Sequence, residues 1–203
     1  MTMTTSSVQG KSNSTQKLTL EDFLNYHDGT DNRYELVDGE LKLMSLGSTK
    51  HSKIIRFLDR TLEAEIARSQ QPWIVLASLM GVQSPRGRRW DTCRIPDLMI
   101  MSVQQYDEMT DLQAVIPLDQ PSPLLVVEVV SESTKSEDYR SKHAEYCVLE
   151  IAEYWIVDPI AQQVTVCVFE DGGYTDYVFA GDAVIVSALL PALQLTVAQV
   201  LAG

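Results

Sequence analysis

Two carboxylates in this chain stand where carboxylates are costly. Asp97 lies in Ile95-Pro96-Asp97-Leu98-Met99-Ile100-Met101, and Glu128 lies in Leu124-Leu125-Val126-Val127-Glu128-Val129-Val130. Short apolar runs bounded by turn residues read as buried strands. An acid inside such a run needs a partner, because a buried charge without one is strongly disfavoured. A divalent cation held by both acids would meet that need, since hard cations take oxygen ligands. A buried Arg or Lys beside one acid and water at a strand end beside the other would meet it too.

Two acids and a nearby cation are the parts of metal-dependent phosphodiester hydrolysis. Carboxylates hold one or two Mg²⁺, which polarise the phosphate and lower the pKa of an attacking water. A side-chain cation then neutralises developing charge. Lys142 is the candidate for that cation. It stands three residues after Tyr139 and four before Tyr146, on the face that Leu149 continues. A Lys there either points at an acid on the sheet or snorkels outward along its stem. Lys135 is a weaker alternative in a polar segment. The carbonyl of Val129 is a further possible ligand.

The elements around these residues follow from pattern. Thr19 caps a short helix over Leu20 to Tyr26. Asp38-Gly39 between Arg33–Val37 and Glu40–Met44 signals a hairpin. In that hairpin Glu35 lies on the opposite face from Tyr34 and Leu36. Ile54, Ile55, Leu58, Leu62 and Ile66 recur at helical spacing after Ser48 or Thr49. His51 shares that stripe, where a lone His is more often a satisfied boundary residue than a catalytic one. Trp73 to Val82 reads as a strand and Ser84-Pro85-Arg86-Gly87 as a turn. A loop from Asp111 to Pro123, a helix over Glu137 to Ile151, strands from Tyr154 to Ala180 and a last helical turn capped by Thr196 complete the chain. The pattern predicts one α/β or α+β domain over residues 17–203, with a central mixed sheet flanked by helices. Residues 1–16, rich in Ser and Thr, read as a disordered tail.

The chain has 203 residues and a formal charge of −12, from 16 Lys and Arg against 28 Asp and Glu. That balance argues against general electrostatic capture of nucleic acid. Arg86, Arg88, Arg89 and Arg94 form the one dense basic cluster in the sequence. It is either a local nucleic-acid contact or a solvated loop. No stretch approaches a transmembrane span, so no membrane association is expected. Cys93, Cys147 and Cys167 show no metal-ligand spacing and read as reduced thiols of a cytoplasmic protein.

An ordered set of motifs resembles the Uma2 family, also called domain of unknown function 820, which is common in cyanobacteria. The set is Tyr34-Glu35-Leu36-Val37-Asp38-Gly39-Glu40, Pro96-Asp97, Leu125 to Ser131, Asp138 with Lys142 and Tyr146, and Glu153 to Pro159. The resemblance runs from about Leu18 to the C-terminus and places the chain in the PD-(D/E)xK superfamily. It implies a restriction-endonuclease-like fold, with Asp97 as the PD aspartate and Glu128 as the following acid. Two residues after Glu128 the chain has Val130 where the superfamily pattern has Lys. The resemblance suggests that the Lys has moved to the helix as Lys142, and that Glu35 is an accessory acid. It further implies an endonuclease using Mg²⁺, with Mn²⁺ as a substitute, acting on DNA as a homodimer. The alternative is a catalytically inactive nuclease fold kept for binding or assembly.

Overall fold

Asp38 and Gly39 make the tight turn that their sequence signals. Their φ angles are 51° and 78°, and a two-residue turn of this kind needs positive φ at both central positions. The turn sets Glu35 opposite Lys42 in the hairpin register. A side chain at Gly39 would also meet the Lys17 Cβ at 2.7 Å, so glycine is required there on two counts.

The structure, a computed structural model, describes residues 17–86 and 89–203. The predicted tail over residues 1–16 and two residues of the basic segment, Gly87 and Arg88, lie outside the described residues. In chain order the elements begin with α1 (Leu20–Leu24), β1 (Tyr34–Val37), β2 (Glu40–Leu43), α2 (Thr49–Ser69) and β3 (Trp73–Leu76). There follow β4 (Gly81–Arg86), β5 (Arg89–Arg94), β6 (Leu98–Ser102), α3 (Val103–Glu108), β7 (Val115–Ile116) and β8 (Leu125–Val129). A π-helical turn over Glu137–Lys142 runs straight into α4 (His143–Val148). The chain closes with β9 (Glu153–Asp158), β10 (Gln163–Glu170), β11 (Gly173–Ala180) and α5 (Val197–Ala202).

The strands form a central six-stranded sheet, ordered β11-β10-β9-β8-β6-β3, and a five-stranded sheet, ordered β2-β1-β5-β4-β7. Each is mixed, with one parallel pair: β8 with β9 in the first and β4 with β7 in the second. The expected mixed sheet flanked by helices is present, and the early hairpin belongs to the second sheet. β4 extends through the segment that reads as a turn in the sequence. Pro85 is tolerated there because the register shifts between Ser84 and Arg86, and because β7 pairs only with Gly81 and Val82. The single strand expected over Trp73 to Val82 breaks after Leu76, where Ser78 has φ of 49°.

Apolar cores cover both faces of the central sheet. On one face Leu98, Ile100, Leu125 and Val127 pack with Ile54, Leu58 and Leu62 of α2 and with Val197 and Val200 of α5. Full burial of each large aliphatic side chain stabilises by about 1.5–3 kcal/mol. On the other face Met99, Met101, Val126 and Val130 pack with Tyr146 of α4 and Tyr154. Strand alternation therefore sends Glu128, between Val127 and Val129, to the α4 face. Extending the β6–β8 register by one residue brings Asp97 beside Glu128.

Candidate active site

Asp97, Glu128 and Lys142 line one cavity of about 790 Å³, together with Glu35 and His51. Each arrives from a different element. Asp97 precedes β6, Glu128 is in β8, Lys142 ends the π-helical turn, Glu35 is in β1 and His51 is in the first turn of α2. Ser48 fixes that first turn by accepting the His51 backbone N–H at 3.2 Å.

Glu128 is 3% exposed and Lys142 is 6% exposed. The Lys142 ammonium stands 2.9 Å from Glu128 Oε2 and 3.1 Å from Asp138 Oδ1. The Tyr146 hydroxyl donates to Glu128 Oε1 at 2.9 Å. Burial pushes the Glu128 carboxyl up to about 8, although Lys142 beside it pulls the other way. Burial also raises Asp138 above the usual carboxylate range. For Lys142 burial favours the neutral amine, but Glu128 and Asp138 outweigh it and hold the ammonium charged. Lys142 thus points at the sheet and does not snorkel. Lys135 lies on the surface, paired with Asp158 at 3.2 Å.

Asp97 Oδ2 accepts the Val129 backbone N–H at 2.8 Å and lies 3.1 Å from His51 Nε2. The hydrogen bond with Asp97 raises the pKa of His51 above its ordinary value. Among the described residues no donor reaches Asp97 Oδ1. Asp138 Oδ1 and Oδ2, both buried, lack a hydrogen bond of good geometry even with the Lys142 ammonium close by. The cavity therefore offers several oxygen donors, an excess of acid over base, and an Asp97 oxygen without a protein partner. That donor set fits a hard divalent cation such as Mg²⁺ or Mn²⁺ better than a thiophilic one.

The described residues of the basic cluster are held in ion pairs with acids. Arg94 is fully buried and gives no surface to a nucleic acid. Its Nε and Nη2 donate to Glu145 Oε2 and Oε1 at 2.7 and 3.1 Å, and its Nη1 donates to Glu35 Oε2 at 3.1 Å. Glu35 also accepts the Ile95 backbone N–H at 3.0 Å. Arg94 thus ties the hairpin acid to α4 behind the cavity. Arg86 donates to the same Glu145, and Arg89 pairs with Asp38 and Asp91. Arg88 lies outside the described residues.

Two participants escape the sequence reading. His51 carries a weak signal, a polar residue on an apolar stripe at a helix start, but its partner Asp97 is 46 residues away. Tyr146 reads as core and is core, yet its hydroxyl also binds Glu128.

The Uma2 family, described as "Putative restriction endonuclease", matches residues 20–198. The chain belongs to the Uma2 family. A crystal structure of "a putative nuclease belonging to DUF820" from Anabaena variabilis ATCC 29413 superposes on this Uma2 chain with a TM-score of 0.73. The superposition covers 91% of this chain and 98% of that one at 16% identity, which shows a shared fold. No curated protein sequence matches this Uma2 member. Among the described residues no helix is long and apolar enough to cross a membrane.

Proposed function

We propose that this protein is a Mg²⁺-dependent endonuclease that hydrolyses DNA phosphodiester bonds in the cytoplasm, working as a homodimer because two-fold DNA suits a two-fold enzyme. The observation that carries the reading is the Lys142–Glu128 contact inside a cavity that Asp97 also lines. Family membership and the fold of a neighbour described as a nuclease support it.

Asp97 and Glu128 would hold the cation, which supplies charge neutralisation at the phosphate and a more acidic bound water. The chain's own residues do the rest. His51 and the Val129 N–H hold Asp97 Oδ2, leaving Oδ1 without a protein donor among the described residues. Tyr146 fixes the rotamer of Glu128 through Oε1. Lys142 places a permanent positive charge where a phosphate oxygen would approach, and its stem stays buried, so it pays little additional ordering entropy on substrate binding. Glu35, held by Arg94, serves as an accessory acid.

The test is cleavage of duplex DNA by purified protein with Mg²⁺, with Mn²⁺ and with chelator, for the wild type, Asp97→Asn and Lys142→Ala. Metal-dependent cleavage by the wild type alone is expected. Absence of cleavage with either metal, together with no measurable Mg²⁺ binding by calorimetry, would overturn the proposal. A second reading, a nuclease fold kept for binding or assembly, draws on Glu128, whose Oε1 already accepts from Tyr146 and whose Oε2 is already ion-paired with Lys142. It requires that Mg²⁺ fail to displace Lys142 and bind.

A further inference from the structure

In a chain this acidic, unpaired positive charge is scarce, and it is concentrated on one helix. α2 carries five Lys and Arg against three acids, while the whole chain carries 16 against 28. Among the described residues Lys50, Lys53, Arg56 and Arg60 form no ion pair. Every other described Lys or Arg, except Arg33 and Arg140, is salt-bridged to a carboxylate. All four residues on α2 are exposed.

Their spacing puts them on one side of the helix. Lys53, Arg56 and Arg60 follow one another at three and four residues, opposite the buried Leu58 and Leu62. The same three line a second cavity of about 770 Å³, walled on its far side by Leu193 and Gln194. Lys50 lies one turn earlier and lines the first cavity with His51 and Asp97. The positive charge therefore begins at the candidate active site and runs away from it. From Lys50 to Arg60 the helix rises about 15 Å, roughly four nucleotide steps of a duplex strand. The phosphate backbone is the ligand whose charge repeats along a line in this way. A solvated basic helix face needs no such alignment with a catalytic cavity, and the remaining surface, rich in acid, would repel the same backbone.

We infer that the exposed face of α2, through Lys53, Arg56 and Arg60 with Lys50 at its head, is the track on which the phosphate backbone of duplex DNA lies as it enters the site. The inference rests on the nuclease reading for its ligand, and it moves the contact away from Arg86 to Arg94. It is a positioning surface and carries no sequence readout, because phosphate contacts fix register without reading bases.

The experiment measures equilibrium binding of a fluorescent duplex with Ca²⁺ in place of Mg²⁺, across a salt series, beside a separate Mg²⁺ cleavage assay. The proteins are the wild type, Lys53→Glu/Arg56→Glu/Arg60→Glu, and Arg86→Glu/Arg89→Glu. The α2 variant should bind about tenfold to a hundredfold more weakly, with a log–log salt slope shallower by about three. The Arg86/Arg89 variant should keep the wild-type slope. The milder Lys53→Gln/Arg56→Gln/Arg60→Gln, with circular dichroism matching the wild type, guards against loss of fold and should show the same direction. An unchanged affinity and slope in both α2 variants would overturn the inference while leaving the nuclease reading standing. So would a change of oligomeric state by light scattering at unchanged DNA affinity, which would assign the face to a second copy. Binding that depends on α2 without any cleavage would uphold the track and defeat the nuclease reading. No duplex binding by the wild type would overturn both.

Discussion

The Lys142 ammonium is 2.9 Å from Glu128 Oε2, and both residues are almost wholly excluded from solvent. Glu128 comes from the central sheet and Lys142 from the helical crossover that follows it, so the contact joins the two layers of the site. Asp138 shares the same ammonium at 3.1 Å. One cation therefore serves two buried acids, and its removal has structural as well as chemical consequences.

Lys142→Ala is expected to abolish metal-dependent cleavage and to destabilise the fold by about 3–5 kcal/mol, because it leaves buried acids without their cation. Chemical denaturation near neutral pH measures the loss. The loss should grow as pH rises through about 8, where Glu128 gives up its proton and is left as a buried charge without its cation. Lys142→Arg should restore little activity, since a planar guanidinium does not fit a site shaped for a compact ammonium.

Arg94→Met should destabilise by a similar amount, about 3–5 kcal/mol, by stranding Glu145 and Glu35. Adding Glu145→Gln should recover part of it, which a double-mutant cycle reads directly. Recovery near zero would mean that Glu145 is not the main partner.

The pH dependence of the metal-free protein follows from two raised groups. His51 is raised by its hydrogen bond with Asp97, so its contribution is complete below its unfolded value of 6.5 and is lost as pH rises through the folded value. Glu128, raised by burial from 4.5 to about 8, acts in the same direction, because the folded state keeps a proton that the unfolded chain releases. Urea midpoints should therefore fall between about pH 5.5 and about pH 8.5. Glu128→Gln should flatten the fall, most of all below pH 6.5 where Glu128 acts without His51, and His51→Asn should reduce the fall above pH 6.5.

Mg²⁺ that binds Glu128 must displace that proton. Its thermal stabilisation of the protein should be larger at pH 8.5 than at pH 6, and calorimetry in buffers of different ionisation enthalpy should register proton release. Asp97→Asn should lose the stabilisation at both values.

The site acids were legible because each interrupts an apolar run, and a carboxylate has few reasons to be there. Lys142 was legible from its face, with Tyr139 and Tyr146 on either side. β5 was not legible as a buried strand. Arg94 looks like surface charge until Glu145, 51 residues later, folds over it. Nor could the sequence divide its strands between two sheets, because β1 pairs with β5 across more than fifty residues. His51 reads as a boundary residue for the same kind of reason, since no local pattern encodes its meeting with Asp97. The hairpin was legible because its turn chemistry is entirely local.

The helix predicted over Glu137 to Ile151 begins as a π-helical turn, which accommodates one residue more than an α-helical path between the same ends. Chain length is thereby part of how the Lys142 cluster is built. Removing a single residue between Asp138 and Lys142 would let the crossover wind as ordinary helix, with Lys142, Tyr146 and the rest of α4 still seated on the sheet. Asp138 would then be carried about 100° around the axis, away from Lys142. A relative with every acid and the lysine in place, but one residue shorter here, would lack the contact between Asp138 and Lys142 although its list of residues looks intact.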